Sequence, residues 1–256
     1  MSEDEAHALV AESVARGVTY FDVAPTYGNA EILLGPALKP FRDHVFLACK
    51  TTRRDAAGVR EELHQSLHRL QTDRLDLYQM HGIADIQKDV MAAFGPGGAM
   101  EALLEARKNG MVRFLGFSAH SSAAALAAMA RFDFDTVMYP VNFACDIRHS
   151  FSDEVLKEAK KRGMGILAIK ALALQRWPKD ADRSRHRYCW YQPIEDVDLA
   201  RKAIAWTLGR GTTAFIPPGD PDIYRMALAL APEIRTLSAD DQAYLVSVAE
   251  TLSPIF

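Results

Sequence analysis

Three cysteines in 256 residues, Cys49, Cys145 and Cys189, are too few and too scattered for a disulfide framework, a zinc knuckle or a cluster site. No apolar run approaches the roughly 18 residues that a membrane-spanning helix needs. The acidic opening Met-Ser-Glu-Asp-Glu has no apolar stretch behind it and does not read as a secretory signal. Neither sign of charge dominates: 30 Lys and Arg stand against 33 Asp and Glu, a net charge of −3 that advertises neither nucleic acid nor an anionic membrane. Internal repeats and low-complexity tracts are lacking as well. What is present is an ordinary globular composition, 49% hydrophobic and 25% charged. A chain of this length can bury a sizeable core without covalent staples. The expectation is a cytoplasmic protein of enzyme size.

Hydrophobic periodicity alternates between two types along almost the whole chain. Short apolar, β-branched or aromatic runs at 18–22, 45–49, 75–80, 112–118, 137–141, 165–169 and 213–217 read as strands buried on both faces. Helical patterns lie between them, at 30–38, 55–70, 98–108, 121–130, 152–161, 196–208 and 221–230. The spacing of Val59, Leu63, Leu67 and Leu70 shows the helical period. A first helix opens on a capping box, Ser2 with Glu5, and ends at Gly17. Asp220 before Pro221 is a good N-cap followed by proline in the first turn. An extra C-terminal helix, 239–252, has no strand after it.

Regular alternation without a composition break points to one parallel sheet and one domain over 1–256. The closed form is a TIM (β/α)8-type barrel, with the open doubly wound sheet as the runner-up. The strand count is seven, however, and the chain opens on a helix where a barrel opens on a strand. A seven-stranded sheet exposes two apolar edges, which would favour association into a homo-oligomer. The one long irregular stretch, 175–193, carries Arg183, Arg185 and Arg187 around His186, then Tyr188, Trp190 and Tyr191. Connections this long are usually functional or disordered.

Polar groups sit where three apolar strands end. Asp22 ends the first, Lys50 follows Cys49, and His81 follows Met80, with Tyr27 five residues beyond Asp22 in a short loop. In a parallel barrel such positions share one rim. A tyrosine, with a pKa near ~10, is a poor acid at neutral pH. A neighbouring ammonium stabilises the phenolate and lowers that pKa. A carboxylate keeps the ammonium charged and in place, and a histidine can orient a carbonyl oxygen. The set is a tuned proton donor without a nucleophile or a metal. Reduction also needs two electrons that no side chain supplies, so a hydride cofactor is implied.

Here the sequence resembles the aldo-keto reductase family. The matching stretches are Gly17-Val-Thr-Tyr-Phe-Asp22-Val-Ala-Pro-Thr-Tyr27-Gly28, Phe46-Leu-Ala-Cys-Lys50-Thr, Leu75-Asp-Leu-Tyr-Gln-Met-His81, Leu115-Gly-Phe-Ser118 and Arg162-Gly-Met-Gly-Ile-Leu-Ala168. The resemblance implies a TIM barrel that reduces an aldehyde or ketone with NADPH or NADH. It makes Tyr27 the general acid, Lys50 and Asp22 its tuning pair, and His81 the group that orients the substrate. It also implies a first barrel strand ahead of residue 1. A start placed too late in the gene is the preferred explanation of that gap, with natural truncation and a substitute segment as alternatives.

Several positions depart from the family pattern. Ser118 is followed by Ala119 where a Ser-Asn pair usually holds the nicotinamide, Met138 stands where glutamine is usual, and Ile169 with Lys170 replaces a stacking aromatic residue. The stretch Ile216-Pro217-Pro-Gly219-Asp220 resembles the family's phosphate loop, but Ile223 and Ala227 take the places of its arginine and asparagine. Expected cofactor contacts are therefore Ser118, Lys170, Ile216, Pro217, Gly219 and Arg225, and expected substrate contacts are Trp190, Tyr191 and His120, with Asn142 as a further polar candidate. The alternative reading is a catalytically impaired barrel that binds a nucleotide or a partner. His64 and His68, four apart on a helix, have a spacing that can bind zinc, but without an adjoining Glu they read as a surface face.

Overall fold

Helix and strand alternate in the structure as they do in the sequence pattern. The structure is a computed structural model that describes residues 1–256, and its chain packs as two units, Met1–Val137 and Met138–Phe256.

The first unit contains α1 (Glu3–Ala15), β1 (Tyr20–Asp22), α2 (Ala30–Leu38), β2 (Phe46–Thr51), α3 (Ala56–Leu70), β3 (Leu75–Ile83), α4 (Ala92–Phe94), α5 (Ala99–Lys108), β4 (Val112–Ala119) and α6 (Ser122–Met129). The expected capping box forms: the Ser2 hydroxyl accepts from the Glu5 N–H at 3.2 Å, and the Glu5 carboxylate accepts from the Ser2 N–H at 2.7 Å. β1 to β4 run parallel in sequence order. Tyr20 pairs with Phe46, Ala48 with Leu77, and Leu77 with Phe114. Leu47, Ala48, Cys49, Leu77, Tyr78 and Met80 are fully buried, because helices cover strands whose residues are apolar on both faces. Asp55 caps α3 by accepting from the Gly58 N–H at 2.7 Å, and the helix buries Val59, Leu63, Leu67 and Leu70. His64 and His68 lie exposed on its other face.

The strand β5 (Thr136–Pro140) leads into the second unit, which contains α7 (Phe143–His149), α8 (Asp153–Lys161), β6 (Gly165–Ile169), β7 (Ala173–Gln175), β8 (Gln192–Pro193), α9 (Val197–Gly209), β9 (Ala214–Ile216), α10 (Pro221–Leu230) and α11 (Ala239–Thr251). The Val141 N–H donates to the Ile169 carbonyl at 3.0 Å beside β6, and β6 pairs in parallel with β9. Phe143, Leu172, Ile194, Ala203, Ile204, Leu245 and Ala249 form its core. The two units together hold seven parallel strands, the number read from the sequence. No helix is long and apolar enough to cross a membrane.

Two features depart from the sequence expectation. The ends of the stretch read as irregular, 175–193, pair as the antiparallel hairpin β7–β8, with Gln175 donating to Gln192 at 3.0 Å. Strands of three and two residues are too short to show a period. The helix α7 escapes detection for a similar reason: at seven residues it spans two turns, and its start is set by Asn142, whose side chain accepts from the Ala144 and Cys145 N–H groups at 3.1 Å each.

Gly35 in α2 lies against the backbone of α3. A Cβ there would fall 2.6 Å from the Arg69 carbonyl oxygen and 2.7–2.8 Å from Leu70 backbone atoms, none of which can swing aside. Gly35→Ala is therefore expected to cost about 1–3 kcal/mol. The measurement is the urea unfolding midpoint at constant m value, and an unshifted midpoint would show that the two helices have room to part.

Candidate active site

Parallel pairing puts Asp22, Lys50 and His81 at the same ends of three neighbouring strands. Lys50 pairs in register with Gln79, two residues before His81, and Asp22 with Ala48, two residues before Lys50. Because side chains alternate across a strand, residues two apart share a face, so Asp22, Lys50, Gln79 and His81 share one side of the sheet. Lys50 is completely buried, and its ammonium donates to the Asp22 carboxylate and, at 3.1 Å, to the Val23 carbonyl. The same ammonium lies 5.0 Å from the centre of the Tyr27 ring. Tyr27 meets His81 edge-on, at 5.7 Å between ring centres and 88° between planes. His81 Nδ1 is 3.5 Å from the Thr26 hydroxyl. The four expected residues are thus brought together within the first unit.

Burial opposes the charge on Lys50, but Asp22 and then Tyr27 outweigh it and hold the lysine pKa above its ordinary value. Tyr27 turns out differently from the sequence expectation. Its ring is about half exposed, yet its phenol faces the buried pair, and burial raises its pKa, with Lys50 opposing and Asp22 assisting the rise. The net effect is a tyrosine held neutral.

Two neighbours escaped the sequence reading. The Gln79 amide and the Tyr20 hydroxyl each donate to Asp22 Oδ1 at 3.4 Å. Gln79 is fully buried and its Oε1 has no hydrogen-bond partner. A glutamine inside the apolar run 75–80, two residues before a site histidine, was the available signal. Arg54 was missed too. The β3–β4 ladder shifts register between Met80 and Ile83. The Arg54 guanidinium donates to the freed His81 carbonyl at 2.7 Å and to Asp89 at 3.0 Å. Asp89 in turn accepts from the Ala84 and Asp85 N–H groups at 2.9 and 2.8 Å. Ser118, expected to contact cofactor, accepts from the Gly82 N–H at 2.7 Å and so fastens the turn behind His81. His120 donates its N–H to the Ile83 carbonyl at 3.3 Å, on the same turn.

In the second unit, Lys170 directly follows β6, and its ammonium lies 5.5 Å from the Trp190 ring centre and 5.1 Å from that of Tyr191. Ile216 ends β9, Pro217 is half-buried, and Gly219 and Arg225 are exposed. Asp220 caps α10 as expected, accepting from the Asp222 and Ile223 N–H groups at 3.1 and 3.2 Å. It also receives a bond from His186 Nδ1 at 3.0 Å, while His186 Nε2 bonds Glu195. The arginine-rich loop is thereby pinned to the start of α10. Asn142 spends both amide protons on the Lys170 and Ala173 carbonyls, at 2.9 and 2.7 Å.

The sequence profile of the Aldo/keto reductase family matches residues 1–216. The chain belongs to that family. Among curated proteins, the chain is 27% identical to L-galactose dehydrogenase of Arabidopsis thaliana over 186 residues, 68% of the chain and 57% of the relative. It is 31% identical to aldo-keto reductase str7 of Strobilurus tenacellus over 180 residues, 67% and 51% respectively. The chain spans about half the length of the curated relatives it matches. Among solved structures, it resembles an aldo-keto reductase from Klebsiella pneumoniae in complex with NADPH, with a TM-score of 0.74 at 21% identity, covering 99% of this chain and 87% of that one. A Bacillus halodurans aldo-keto reductase gives a TM-score of 0.72 at 21% identity, covering 99% and 90%. These likenesses show that the fold is the aldo-keto reductase barrel type expected from the sequence.

The arrangement sets a buried ammonium, a phenol and an imidazole close together, and it is compatible with a bound hydride carrier. The start of α10 is differently equipped, because its first free N–H groups are already taken by Asp220.

Burial lowers the His186 pKa, but hydrogen bonds to Glu195 and Asp220 outweigh it and leave a net rise. A raised folded pKa stabilises the fold fully below the unfolded value, about 6.5, and that contribution fades as pH climbs through the folded value. The protein should therefore lose thermal stability across that alkaline-going window, and His186→Gln should flatten the slope. Parallel melting curves for the two proteins would refute this role.

Proposed function

We propose that the chain is a nicotinamide-dependent carbonyl reductase acting on an aldehyde or ketone. The observation that carries this reading is the buried Lys50–Asp22 pair set against Tyr27, with His81 edge-on to the same ring. The structural neighbours support it, since two aldo-keto reductase structures from Klebsiella pneumoniae are complexes with NADP and NADPH. A reduced nicotinamide, NADPH or NADH, supplies the hydride when bound. In the second unit, Lys170, Ile216, Pro217, Gly219 and Arg225 are the residues offered to the nucleotide.

The residues of the first unit do the acid chemistry. The carbonyl oxygen gains negative charge as its carbon is reduced, and Tyr27 gives that oxygen a proton. Lys50 stabilises the phenolate left behind, because a positive charge 5.0 Å from the ring lies in a site largely shut off from water. Asp22 keeps Lys50 charged and fixed. His81 presents its ring beside Tyr27, where it can hold the carbonyl oxygen in line with the phenol. Arg54, Asp89 and Ser118 hold the histidine's backbone in that position.

The capped start of α10 favours a second reading, in which the chain descends from such a reductase but only binds a nucleotide or partner. Binding of NADPH without turnover of any member of a carbonyl panel would support that reading over the first.

Tyr27→Phe should lower the turnover of a small aldehyde by about 10²–10⁴-fold while leaving cofactor affinity unchanged. An unchanged rate would sink the assignment. Because the protonated phenol is the active form and its pKa is raised above 10.0, reduction should hold level as pH is taken up to about 9 and decline only beyond it. Lys50→Met should strand the Asp22 charge and cost about 3–5 kcal/mol of stability, read by denaturant unfolding.

A further inference from the structure

The end of β2 is held from a helix. Lys50 and Thr51 are successive residues and project from opposite faces of the strand. The Thr51 hydroxyl donates to Glu62 Oε2 at 2.6 Å, and the Thr52 N–H donates to the same oxygen at 2.8 Å. The Thr52 hydroxyl donates to Glu62 Oε1 at 3.0 Å. One carboxylate of α3 therefore takes three bonds from the two residues directly after Lys50. Glu62 is half-buried, between Val59 and Leu63 of the buried stripe of α3, so the helix that carries it is itself packed in place.

β2 ends at Thr51, whose last pairing is with Met80, and beyond it no ladder fixes the course of the chain. The same turn carries Arg54. Its guanidinium donates to the Thr52 and Arg53 carbonyls at 3.2 Å each, and onward to the His81 carbonyl at 2.7 Å. The Arg53 N–H closes the turn on Thr51 Oγ1 at 3.1 Å. Glu62 thus grips a short segment with Lys50 at one end and the brace of His81 at the other. Both ends serve the Tyr27 ring, which lies 5.0 Å from the Lys50 ammonium and 5.7 Å from the His81 ring.

We infer that Glu62, hydrogen-bonded to neither side chain, is a positioning residue for Lys50 and His81 together, a role that rests on the reductase reading. Through Thr51 and Thr52 it fixes the last peptides of β2 and the direction in which Lys50 leaves the strand. Through the turn it holds Arg54 against the His81 carbonyl. Misplacing a reacting group by about 1 Å can cost about 100-fold in rate, so a loosened turn reaches the chemistry without reaching the ligands.

Steady-state reduction of a small aldehyde with NADPH, run well below every melting midpoint, tests it on the full chain. Glu62→Ala, which removes all three bonds, should lower kcat about tenfold or more and change KM by less than about twofold. Glu62→Gln keeps an acceptor oxygen and offers the Thr52 hydroxyl a donor, so it should restore kcat to within about threefold. A lowered melting midpoint with kcat intact in Glu62→Ala is what a merely structural residue gives, and it would overturn the proposal. So would an equal loss of kcat in Glu62→Gln. Should Glu62→Ala not fold, Thr52→Val removes one of the bonds at an exposed side chain and should lower kcat severalfold, with an unchanged kcat overturning the role. The imidazole NMR signals of His81, assigned with His81→Gln, need no turnover. They should move in Glu62→Ala, or in Thr52→Val, and return in Glu62→Gln. If the unaltered chain reduces no aldehyde, the reductase reading fails by itself and these signals decide the role of Glu62, which unmoved signals overturn.

Discussion

The first unit depends on one buried ion pair. Lys50 is wholly inside the protein, and an ammonium there is tolerable only while Asp22 stays opposite it and the remaining polar atoms find partners. Val23 supplies a carbonyl to the lysine, while Gln79 and Tyr20 supply donors to the aspartate. Those partners lie on β1, directly after it, and on β3, and these two strands flank the one that carries Lys50. The pair therefore ties the order and register of three strands to the chemistry at their ends. A slip of one residue in β2 would turn the lysine to the other face and leave the carboxylate alone.

The same requirement explains why the site is stiff where it needs to be. His81 sits where the regular ladder of β3 fails, and failed ladders leave backbone groups that must be paired elsewhere. Arg54 takes the carbonyl of His81 and Ser118 takes the N–H of Gly82. Arg54 follows β2 and Ser118 lies near the end of β4, so the histidine is braced from the strands on both sides of its own. The second unit uses another device. There a long loop is fastened by one buried histidine between two carboxylates, and by the Trp177 indole, which donates to the Cys189 carbonyl at 2.9 Å.

The barrel-type architecture was legible because parallel strands covered on both faces leave short continuous apolar runs, and helices such as α3 show their period openly. The tetrad was legible because Asp22, Lys50 and His81 interrupt those runs at the strand ends. Gln79 and Arg54 were harder to see for physical reasons. Gln79 is one polar residue among apolar ones and gains meaning only when β3 is laid beside β2. Arg54 acts on a peptide group rather than a side chain, and no residue pattern announces a carbonyl that has lost its partner. The pairing of Gln175 with Gln192 joins residues separated by a long loop, and its strands are too short to carry a signal.

The sequence by itself determined which residues can do proton chemistry and the order in which strands present them, because local periodicity and residue type are written directly in the chain. The net rise of the Tyr27 pKa was decided only by tertiary structure. An ammonium nearby argues for a lowered value, and it took the packing around the phenol to make burial the larger effect. Tertiary structure likewise decided that Ser118 braces a turn and that Asp220 is shared between a helix cap and His186. It also set Lys170, Trp190 and Tyr191 against one another. Each of these depends on distances between residues far apart in the chain, and a chain read in one dimension does not contain them.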